Sequence, residues 1–169
     1  MYIRQATVAD YELIYDLVKE AFKTAKETDG TEQDFVVSLR NSENYLPELE
    51  FVAVQDDQLI GHIILTKQVV QSSEGSYQAL LLAPLCVAKG YRNQGIGGQL
   101  IEYAKKAALK AGYQAIFLLG DYNYYGRFGF QAVSHYQIKN ITNVLDEYVL
   151  GCELVDDALL DIHGTIKLV

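Results

Sequence analysis

The sequence predicts a mixed α/β (α+β) fold in a single domain. Apolar residues at three- and four-residue spacing mark helices, and short alternating or continuous apolar runs mark strands. Along the chain these patterns give the order β-α-α-β-β-β-α-β-α-β, which is typical of a mixed α/β or α+β domain. The length of 169 residues, without a linker or an internal repeat, favours one domain over residues 1–169.

The N-terminal part of the chain is predicted to form a strand, two helices and a loop. Residues 2–6 alternate as a short strand does. Thr7 and Asp10 then fit a capping box, and the apolar residues behind them share one helical face. A second, shorter helix is expected over residues 31–39 by the same pattern, and residues 41–47 form a loop.

Three strands are predicted in the middle of the chain. Residues 50–55 and 58–70 form a hairpin, because only Asp56-Asp57 separates them. Residues 78–87 are apolar at nearly every position, which indicates a strand buried on both faces. Pro84 cannot donate to a strand ladder, so we expect a bulge or a parting of strands near it.

The C-terminal part begins with the longest predicted helix. It covers residues 97–111, and Gly112 ends it as glycine commonly does. A buried strand at residues 115–119, a short helix at residues 121–128 and a strand at residues 130–135 follow. The last thirty residues alternate loosely and are expected to add one or two strands.

Composition and charge restrict the class of partner. The chain carries 14 Lys and Arg against 22 Asp and Glu, a formal net charge of −8. This balance disfavours nucleic-acid binding through phosphate neutralisation and favours cationic ligands. The longest apolar run, Ala79 to Val87, is too short to span a bilayer, and the N-terminus does not resemble a signal peptide. We therefore expect a cytoplasmic protein that binds neither nucleic acid nor membrane.

The two cysteines do not indicate a metal site. Cys86 and Cys152 lie far apart in apolar segments, without CxxC or Cys/His spacing. We expect two buried free thiols of a reducing compartment, with a disulfide as the alternative. A covalent acyl-enzyme on Cys86 is disfavoured, because strand alternation turns its side chain away from those of Leu85 and Val87 and no His or acid adjoins it.

The most informative segment is residues 85–98, in which a buried strand runs through a glycine-containing loop into a helix. The first amides of a helix lack partners and attract anions, and Gly95, Gly97 and Gly98 would let a phosphate approach them. The alternative is that these glycines only permit a tight turn. A P-loop is disfavoured because no Lys-Ser or Lys-Thr follows the glycines, and a dinucleotide fingerprint is disfavoured by their position and spacing.

The sequence resembles the GNAT family of acyl-CoA-dependent N-acetyltransferases over essentially its whole length. Residues 85–87 with residues 91–98 resemble the acetyl-CoA motif of the family. Tyr125, four residues before Gly129-Phe130, resembles its second signature. Residues 120–130, together with the tail from Cys152 to Lys167, resemble a bacterial subgroup whose acceptor is largely unassigned.

The resemblance implies how the fold would hold acetyl-CoA. It implies a mixed, mostly antiparallel sheet that is flanked by helices on both faces and splayed between strands 4 and 5. The pyrophosphate would bind the amides of residues 94–98, and the strand at residues 85–87 would pair with the pantetheine arm. The assignment of Asn123 to the thiol end is weaker, since its spacing departs from the commoner family pattern. The implied cofactor-binding residues are Leu85, Cys86, Val87, Arg92, Asn93, Gln94, Gly95, Ile96, Gly97, Gly98, Asn123 and Tyr125.

The same resemblance implies catalytic roles for two residues. The Leu85 amide would polarise the thioester carbonyl, as an oxyanion-hole donor does. Tyr125 would protonate the leaving thiolate, since a phenol with a pKa near 10 is a plausible acid for a thiol of pKa about 8.5. The alternatives are that the ring of Tyr125 only packs against the sheet, or that Tyr124 is the acid instead.

The general base is less clearly indicated. Some enzymes of the family carry a glutamate on the fourth strand, but residues 80–83 contain no carboxylate here. Asp121 is the best remaining candidate, acting through water, and its alternative role is to cap the following helix. His62 could approach the cleft, although a structural histidine is the simpler interpretation.

These observations predict an enzyme that transfers an acetyl group from acetyl-CoA to a primary amine by direct attack in a ternary complex. The first helices and residues 41–47 would wall the site of a small-molecule or peptide amine, and a homodimer is one arrangement that the family allows. Two alternatives stay open: a non-catalytic acyl-CoA sensor, and a regulator that binds a nucleotide at Gly95 to Gly98.

Overall fold

The computed structural model describes residues 1–168, which divide into two compact units. The first unit contains Met1–Thr66 and Ala83–Ala104, and the second contains Lys67–Leu82 and the chain from Lys105 onward. The strands are β1 (Tyr2–Gln5), β2 (Glu50–Gln55), β3 (Gln58–Ser72), β4 (Gly75–Val87), β5 (Ala115–Leu119), β6 (Gln131–Ala132), β7 (Ile138–Asn140), β8 (Val149–Glu153) and β9 (Gly164–Ile166). The α-helices are α1 (Tyr11–Phe22), α2 (Glu32–Arg40), α3 (Ile96–Lys110) and α4 (Tyr122–Tyr125).

The first unit contains antiparallel strands in the order β1, β2, β3, β4. Val52 of β2 lies opposite both Arg4 of β1 and His62 of β3, which fixes the register. The β2–β3 hairpin turns at Asp56 and Asp57, both at positive φ, as a tight two-residue turn requires. The predicted hairpin is therefore confirmed.

Helix α1 begins later than the capping box suggests. Thr7 precedes a 3-10 turn over Val8–Asp10, and α1 follows from Tyr11. Asp10 accepts hydrogen bonds from the Thr7 amide at 2.8 Å and from both terminal nitrogens of Arg4 at 2.7 and 2.8 Å. These bonds hold the pKa of Asp10 well below its usual range, so its carboxylate stays ionised and fixes the entry into the helix.

Helices cover both faces of the sheet in this unit. The α1 side is a core of apolar side chains: Ala6, Ile14, Val18, Ala21, Val36, Val52, Val54 and Cys86. Side chains on the other face of the sheet contact α3. The Phe51 ring of β2 meets the Tyr103 ring of α3 edge-on, with the ring centres 5.0 Å apart. A Cβ on Gly61 would lie 2.8 Å from Leu100, so this glycine allows α3 to pack closely on β3.

The second unit combines parallel and antiparallel pairing. Parallel β4–β5 pairing joins Leu80 to Ile116 and Leu81 to Phe117. Strand β8 pairs antiparallel with β5 along its whole length and with β6 at two positions, and β9 pairs with β3 and β7. The β4–β5 ladder is short, which agrees with the predicted splaying of these two strands. The predicted fold class, with a mixed and mostly antiparallel sheet, is confirmed.

One detail of the predicted secondary structure was wrong, and two others agree with the structure. The pairing of β4 with β5 ends at Leu81, which agrees with the parting of strands expected near Pro84, and β4 itself continues to Val87. The strand expected over residues 130–135 is only Gln131–Ala132, because a 3-10 turn at Val133–His135 bends the chain. The last thirty residues add β8 and β9, as expected, and the short strand β7 before them was not predicted.

Candidate active site

The loop between β4 and α3 has the backbone shape that its sequence suggests. After β4 ends at Val87, a 3-10 turn over Lys89–Tyr91 leads to the loop, and α3 begins at Ile96. Asn93 and Gly95 take positive φ angles of 62° and 78°. Gly95 has open space around its Cβ position, so its positive φ, rather than crowding, is the reason that glycine suits this position.

The amides of this loop are free of protein acceptors. Over the described residues, no oxygen of the protein accepts a hydrogen bond from the backbone N–H groups of residues 93–98. The next backbone amide with a partner is that of Gln99 in α3, which donates to the Gly95 carbonyl at 3.0 Å. Consecutive free amides at the start of a helix of 15 residues form an anion-binding site.

The adjoining end of β4 directs backbone groups away from β3. The Ala88 amide donates to the Ile60 carbonyl of β3 at 2.8 Å. Backbone groups alternate in direction along a strand, so the N–H and C=O of Leu85 and Val87 point to the opposite side. Val87 agrees, because its carbonyl accepts from Arg92 Nε at 3.2 Å. The Leu85 amide is therefore directed to a side where a ligand could pair with β4.

A cavity of about 140 Å³ lies beside this strand end. It is lined by Ala21, Phe22, Ala25, Leu85, Cys86, Val87 and Arg92. Its walls are thus the last turn of α1, the segment after it and the end of β4. A small cavity beside free strand groups suits a flexible arm that carries amide groups of its own.

The Arg92 side chain joins α1 to β4. Besides Val87, its guanidinium donates to the Ala21 carbonyl at 2.6 Å and to Thr24 Oγ1 at 2.7 Å. The carbonyl end of a helix attracts a cation, so this is a favourable position for Arg92. The side chain forms one wall of the cavity, and its donors at these three contacts are engaged by the protein itself.

Cys86 is a core residue. Its side chain is buried in the α1 core, and this burial raises the pKa of its thiol to about 12. A thiol that stays protonated is a poor nucleophile. The structure therefore agrees with the expectation that Cys86 packs rather than forms an acyl-enzyme.

In the second unit, Tyr125 occupies a position that Gly120 leaves open. A Cβ on Gly120 would lie 2.5 Å from Tyr125 Cε2, which no side chain could tolerate without movement. The ring also meets Tyr124 edge-on at 4.9 Å and Phe130 at 5.9 Å. The Tyr125 hydroxyl has no hydrogen-bond partner within residues 1–168, and burial raises the pKa of this phenol. The phenol is therefore protonated and free to donate.

Tyr124 has a different environment from its neighbour. The Arg127 guanidinium lies 4.8 Å from the centre of its ring, and Phe128 meets it edge-on at 5.6 Å. Tyr124 is thus half-buried in a cluster with Arg127 and Phe128. The two adjacent tyrosines are not interchangeable, and Tyr124 offers a control for variants of Tyr125.

Asp121 acts as the cap of α4. Its carboxylate accepts a hydrogen bond from the Asn123 amide at 2.9 Å, and its carbonyl accepts from the amides of Tyr124 and Tyr125. The side chains of Asp121 and Asn123 are exposed. The capping role that was the alternative for Asp121 is therefore present in the structure.

We expect Gly120→Ala to impair Tyr125 without touching the loop at residues 93–98. The added methyl group would force the Tyr125 ring to move, so the turnover rate should fall at least tenfold while the affinity for coenzyme A changes little. Steady-state kinetics and calorimetric titration separate the two effects. Gly90→Ala is the control, because a Cβ there meets open space; an unaltered turnover rate in Gly120→Ala would refute the positioning role.

Sequence reasoning missed a buried polar cluster around Glu50. The Glu50 carboxylate is completely buried and binds Arg40 Nε through both oxygens at 3.2 Å. It also accepts from the Tyr45 hydroxyl at 2.7 Å and contacts His62 Nε2 at 2.8 Å. Tyr11 completes the cluster, with its hydroxyl 3.0 Å from that of Tyr45. His62, expected to be either structural or near the cleft, is fully buried in this cluster.

The protonation states in the cluster follow from burial and from its contacts. Burial would raise the pKa of Glu50, but hydrogen bonds from His62, Arg40 and Tyr45 outweigh it and lower the pKa to about 2. Burial lowers the pKa of His62 despite its contact with Glu50. The pair is therefore an ionised carboxylate and a neutral imidazole, which donates from Nε2.

Acid should destabilise the protein in two steps. Below about pH 6.5 His62 is protonated in the unfolded chain but stays neutral in the folded chain, so the unfolded state is favoured. Below about pH 4.5 Glu50 is likewise protonated in the unfolded chain but stays ionised in the folded chain. We therefore expect the urea midpoint to fall as the pH is lowered from 7 to 4. His62→Gln should remove the first step, whereas His135→Gln, at an exposed position, should retain it. A midpoint that does not change over this range would contradict the assigned states.

No group of three or more His, Cys, Asp or Glu side chains in the described chain is arranged to hold a metal ion. Among the same residues, no helix combines the length and the apolar character that a membrane span requires.

A mixed sheet whose fourth strand runs through a glycine loop into a helix is the arrangement that characterises GNAT-type acyltransferases. The chain belongs to this family: the model described as Acetyltransferase (GNAT) family matches residues 11–130. The resemblance seen in the sequence is thereby confirmed.

Two curated relatives come from Escherichia coli. The chain is 32% identical over 123 residues to YjhQ, described as an uncharacterized N-acetyltransferase, in a match that covers 73% of this chain and 65% of the relative. It therefore spans slightly less than two thirds of that protein. YhbS, also described as an uncharacterized N-acetyltransferase, is 32% identical over 120 residues, which cover 70% of this chain and 71% of YhbS.

Two solved structures share the fold at sequence identities above 25%. The crystal structure of E. coli YhbS in complex with CoA matches with a TM-score of 0.88 and 28% identity, over 99% of this chain and 89% of YhbS. A GNAT family acetyltransferase from Brucella melitensis in complex with acetyl-CoA matches with a TM-score of 0.78 and 26% identity, over 96% of this chain and 92% of that one.

Proposed function

We propose that the protein transfers an acetyl group from acetyl-CoA to a primary amine by direct attack in a ternary complex. The observation that carries the proposal is the row of free amides at residues 93–98, next to the cavity beside the end of β4. Family membership supports acetyl-CoA as the donor, and the relatives solved with CoA and acetyl-CoA support the same ligand. We propose that residues 1–169 act as one domain, since the family match includes segments of both units.

The pyrophosphate and the pantetheine arm of the cofactor each have a matching group in the first unit. The pyrophosphate would accept hydrogen bonds from the amides of residues 93–98, where the positive end of the α3 dipole favours negative charge. The pantetheine arm would lie in the 140 Å³ cavity and pair with Leu85 and Val87, whose backbone groups point away from β3. Arg92 would position this site by holding the last turn of α1.

The transfer step requires polarisation of the thioester and protonation of the leaving thiolate. We assign the first to the Leu85 amide, which would donate to the carbonyl oxygen as negative charge develops on it. The amine nitrogen then forms the new C–N bond, the C–S bond breaks, and Tyr125 donates its proton to the sulfur. The surplus proton of the new amide nitrogen passes through water to the Tyr125 phenolate, which restores the acid. The pKa of Tyr125 is raised by burial, but burial raises the pKa of a thiol in the same way, as at Cys86, so the phenol can still match its partner.

The acceptor must lose a proton before it attacks. An alkylammonium with a pKa near 10.4 is mostly charged at pH 7, and removing its proton costs roughly 4–5 kcal/mol. Asp121, acting through water, is the proposed base, although its carboxylate also caps α4. The net charge of −8 favours a cationic amine over an anionic one, and the two buried free cysteines agree with a reducing cytoplasm.

Release of free thiol from acetyl-CoA tests the proposal directly. The protein is incubated with acetyl-CoA and a panel of amino sugars, polyamines, amino acids and peptides, and the products are analysed by mass spectrometry. We expect thiol release that depends on one class of amine, with a mass increase of one acetyl group on that amine. Binding of acetyl-CoA without release on any amine, unchanged in Tyr125→Phe, would favour the sensor instead.

A further inference from the structure

A second cavity in the first unit lies between α1 and α2 and has a volume of about 300 Å³. Its walls contain no residue of the loop or of β4. It is lined by Tyr11, Glu12, Tyr15, Val37, Arg40 and Asn41.

The hydroxyl of Tyr11 has its hydrogen directed away from this cavity. Glu50 is ionised and can only accept, so Tyr45 must donate its one hydrogen to it at 2.7 Å. The Tyr45 oxygen is then the acceptor of its contact with Tyr11 at 3.0 Å, and Tyr11 is the donor. The remaining lone pairs of the Tyr11 oxygen can only accept a hydrogen bond from a ligand.

Tyr15 has the same polarity through a different carboxylate. Its hydroxyl donates to Asp34 Oδ1 at 2.9 Å, and this bond raises the pKa of Tyr15. The Tyr15 oxygen therefore also offers only acceptor sites. Two tyrosines of the cavity lining thus present acceptors and aromatic faces, because the Tyr11 hydrogen goes to the Tyr45 hydroxyl and the Tyr15 hydrogen goes to the Asp34 carboxylate.

The charges of the lining residues also favour a cationic ligand. Arg40 is the one cation of the lining, and its side chain is 9% exposed. Its guanidinium is bound through two nitrogens to Glu50 and lies 3.7 Å from the centre of the Tyr11 ring. Its charge is thus compensated. Glu12 is exposed and forms no ion pair in the described part of the chain, and the carbonyl end of α2 adds partial negative charge. The amide end of α1 carries partial positive charge, which Glu12 in the first turn of that helix offsets.

We infer that the α1–α2 cavity binds an organic ammonium ion. The ammonium group donates to the oxygens of Tyr11 and Tyr15 and pairs with Glu12, while its carbon chain lies against the tyrosine rings and Val37. A neutral alcohol of the same length lacks the charge and the second and third donors, so it binds more weakly. This site is distinct from the residues proposed for acetyl-CoA, and it exists whether or not the protein catalyses acetyl transfer.

Titration with n-butylammonium chloride, in the absence of acetyl-CoA, tests the inference. Backbone amide shifts of the folded protein are followed by NMR, with 1-butanol as the neutral analogue. We expect saturable shifts confined to α1 and α2 and an affinity for butylammonium at least about tenfold higher than for butanol, equivalent to about 1.4 kcal/mol. Equal affinities for the two probes, or no saturable binding of butylammonium below about 10 mM, would overturn the inference.

Variants test which groups are responsible. Glu12→Gln and Tyr15→Phe should each weaken butylammonium binding about five- to tenfold, as expected for a hydrogen bond to a charged group. Glu20→Gln on the same helix and Tyr2→Phe on β1 are the controls, since neither residue lines the cavity. Equal affinities of these four variants would contradict the assignment.

Glu50→Gln tests the polarity of the hydrogen bonds themselves. The amide can donate to Tyr45, which would reverse the chain and direct a Tyr11 hydrogen into the cavity, so butylammonium should bind more weakly. Because this variant is expected to lose stability, its fold is checked first by thermal unfolding; if it does not fold, Tyr15→Phe decides. The butylammonium titration does not depend on acetyl transfer. A failure of the proposed function would therefore not affect its result, and the two proposals are tested separately.

Discussion

Replacing Tyr125 with phenylalanine is expected to lower the rate of acetyl transfer by about 10²-fold or more, the usual contribution of a general acid. The ring contacts with Tyr124, Phe130 and Gly120 would remain, and the lost hydroxyl has no hydrogen-bond partner elsewhere in residues 1–168. The affinity for coenzyme A and the free energy of unfolding should therefore change little. Thiol release measured at saturating acetyl-CoA gives the effect on kcat.

Tyr124→Phe is the matched control for this experiment. The Tyr124 ring contacts Arg127 and Phe128 instead of the Gly120 position. Removal of the Tyr124 hydroxyl should therefore change kcat by less than a few-fold. Because the pKa of Tyr125 is raised, kcat should also not fall between pH 7 and 9 through loss of this proton. If both variants lost activity equally, or neither did, Tyr125 would not be the acid.

The Glu50→Ala variant should lose about 3–5 kcal/mol of unfolding free energy, the largest stability effect that we expect from a single change. The substitution removes the carboxylate that compensates Arg40 and accepts from Tyr45 and His62, and leaves these polar groups buried. Ordinary domains have only about 5–15 kcal/mol in total, so this variant should approach the limit of folding. Urea unfolding followed by circular dichroism measures the difference.

Glu48→Ala is the control two residues earlier. Its side chain is exposed, so its loss should change the unfolding free energy by less than about 0.5 kcal/mol. A Glu50→Ala protein as stable as the wild type would mean that the buried cluster is not the ion pair described above.

Secondary structure was predictable where one apolar pattern extends over several turns or strand residues. The strand Ala115–Leu119 was predicted to the residue, and α1, α2 and α3 have the expected apolar faces. The prediction failed after residue 130, where strands of two and three residues are separated by turns. Strands this short are held by their pairing with other strands, which local sequence does not encode.

The candidate site was predictable in its backbone and less so in its side chains. The glycine pattern indicated the loop at residues 92–98, because helix starts and positive φ angles have local sequence signals. The contacts of Arg92 with Ala21 and Thr24 join residues 71 and 68 positions apart, so no local pattern could reveal them. Glu50 was overlooked because a glutamate that follows a polar loop is normally exposed, and its partners come from α2, the loop and β3.

The most direct test of the central proposal is an NMR comparison of coenzyme A with pantetheine, which lacks the phosphates. With coenzyme A, we predict the largest amide shifts at residues 93–98, together with Leu85 and Val87. With pantetheine, the shifts of Leu85 and Val87 should persist while those of residues 93–98 disappear. Binding of coenzyme A that leaves the amides of residues 93–98 unperturbed would contradict the proposal.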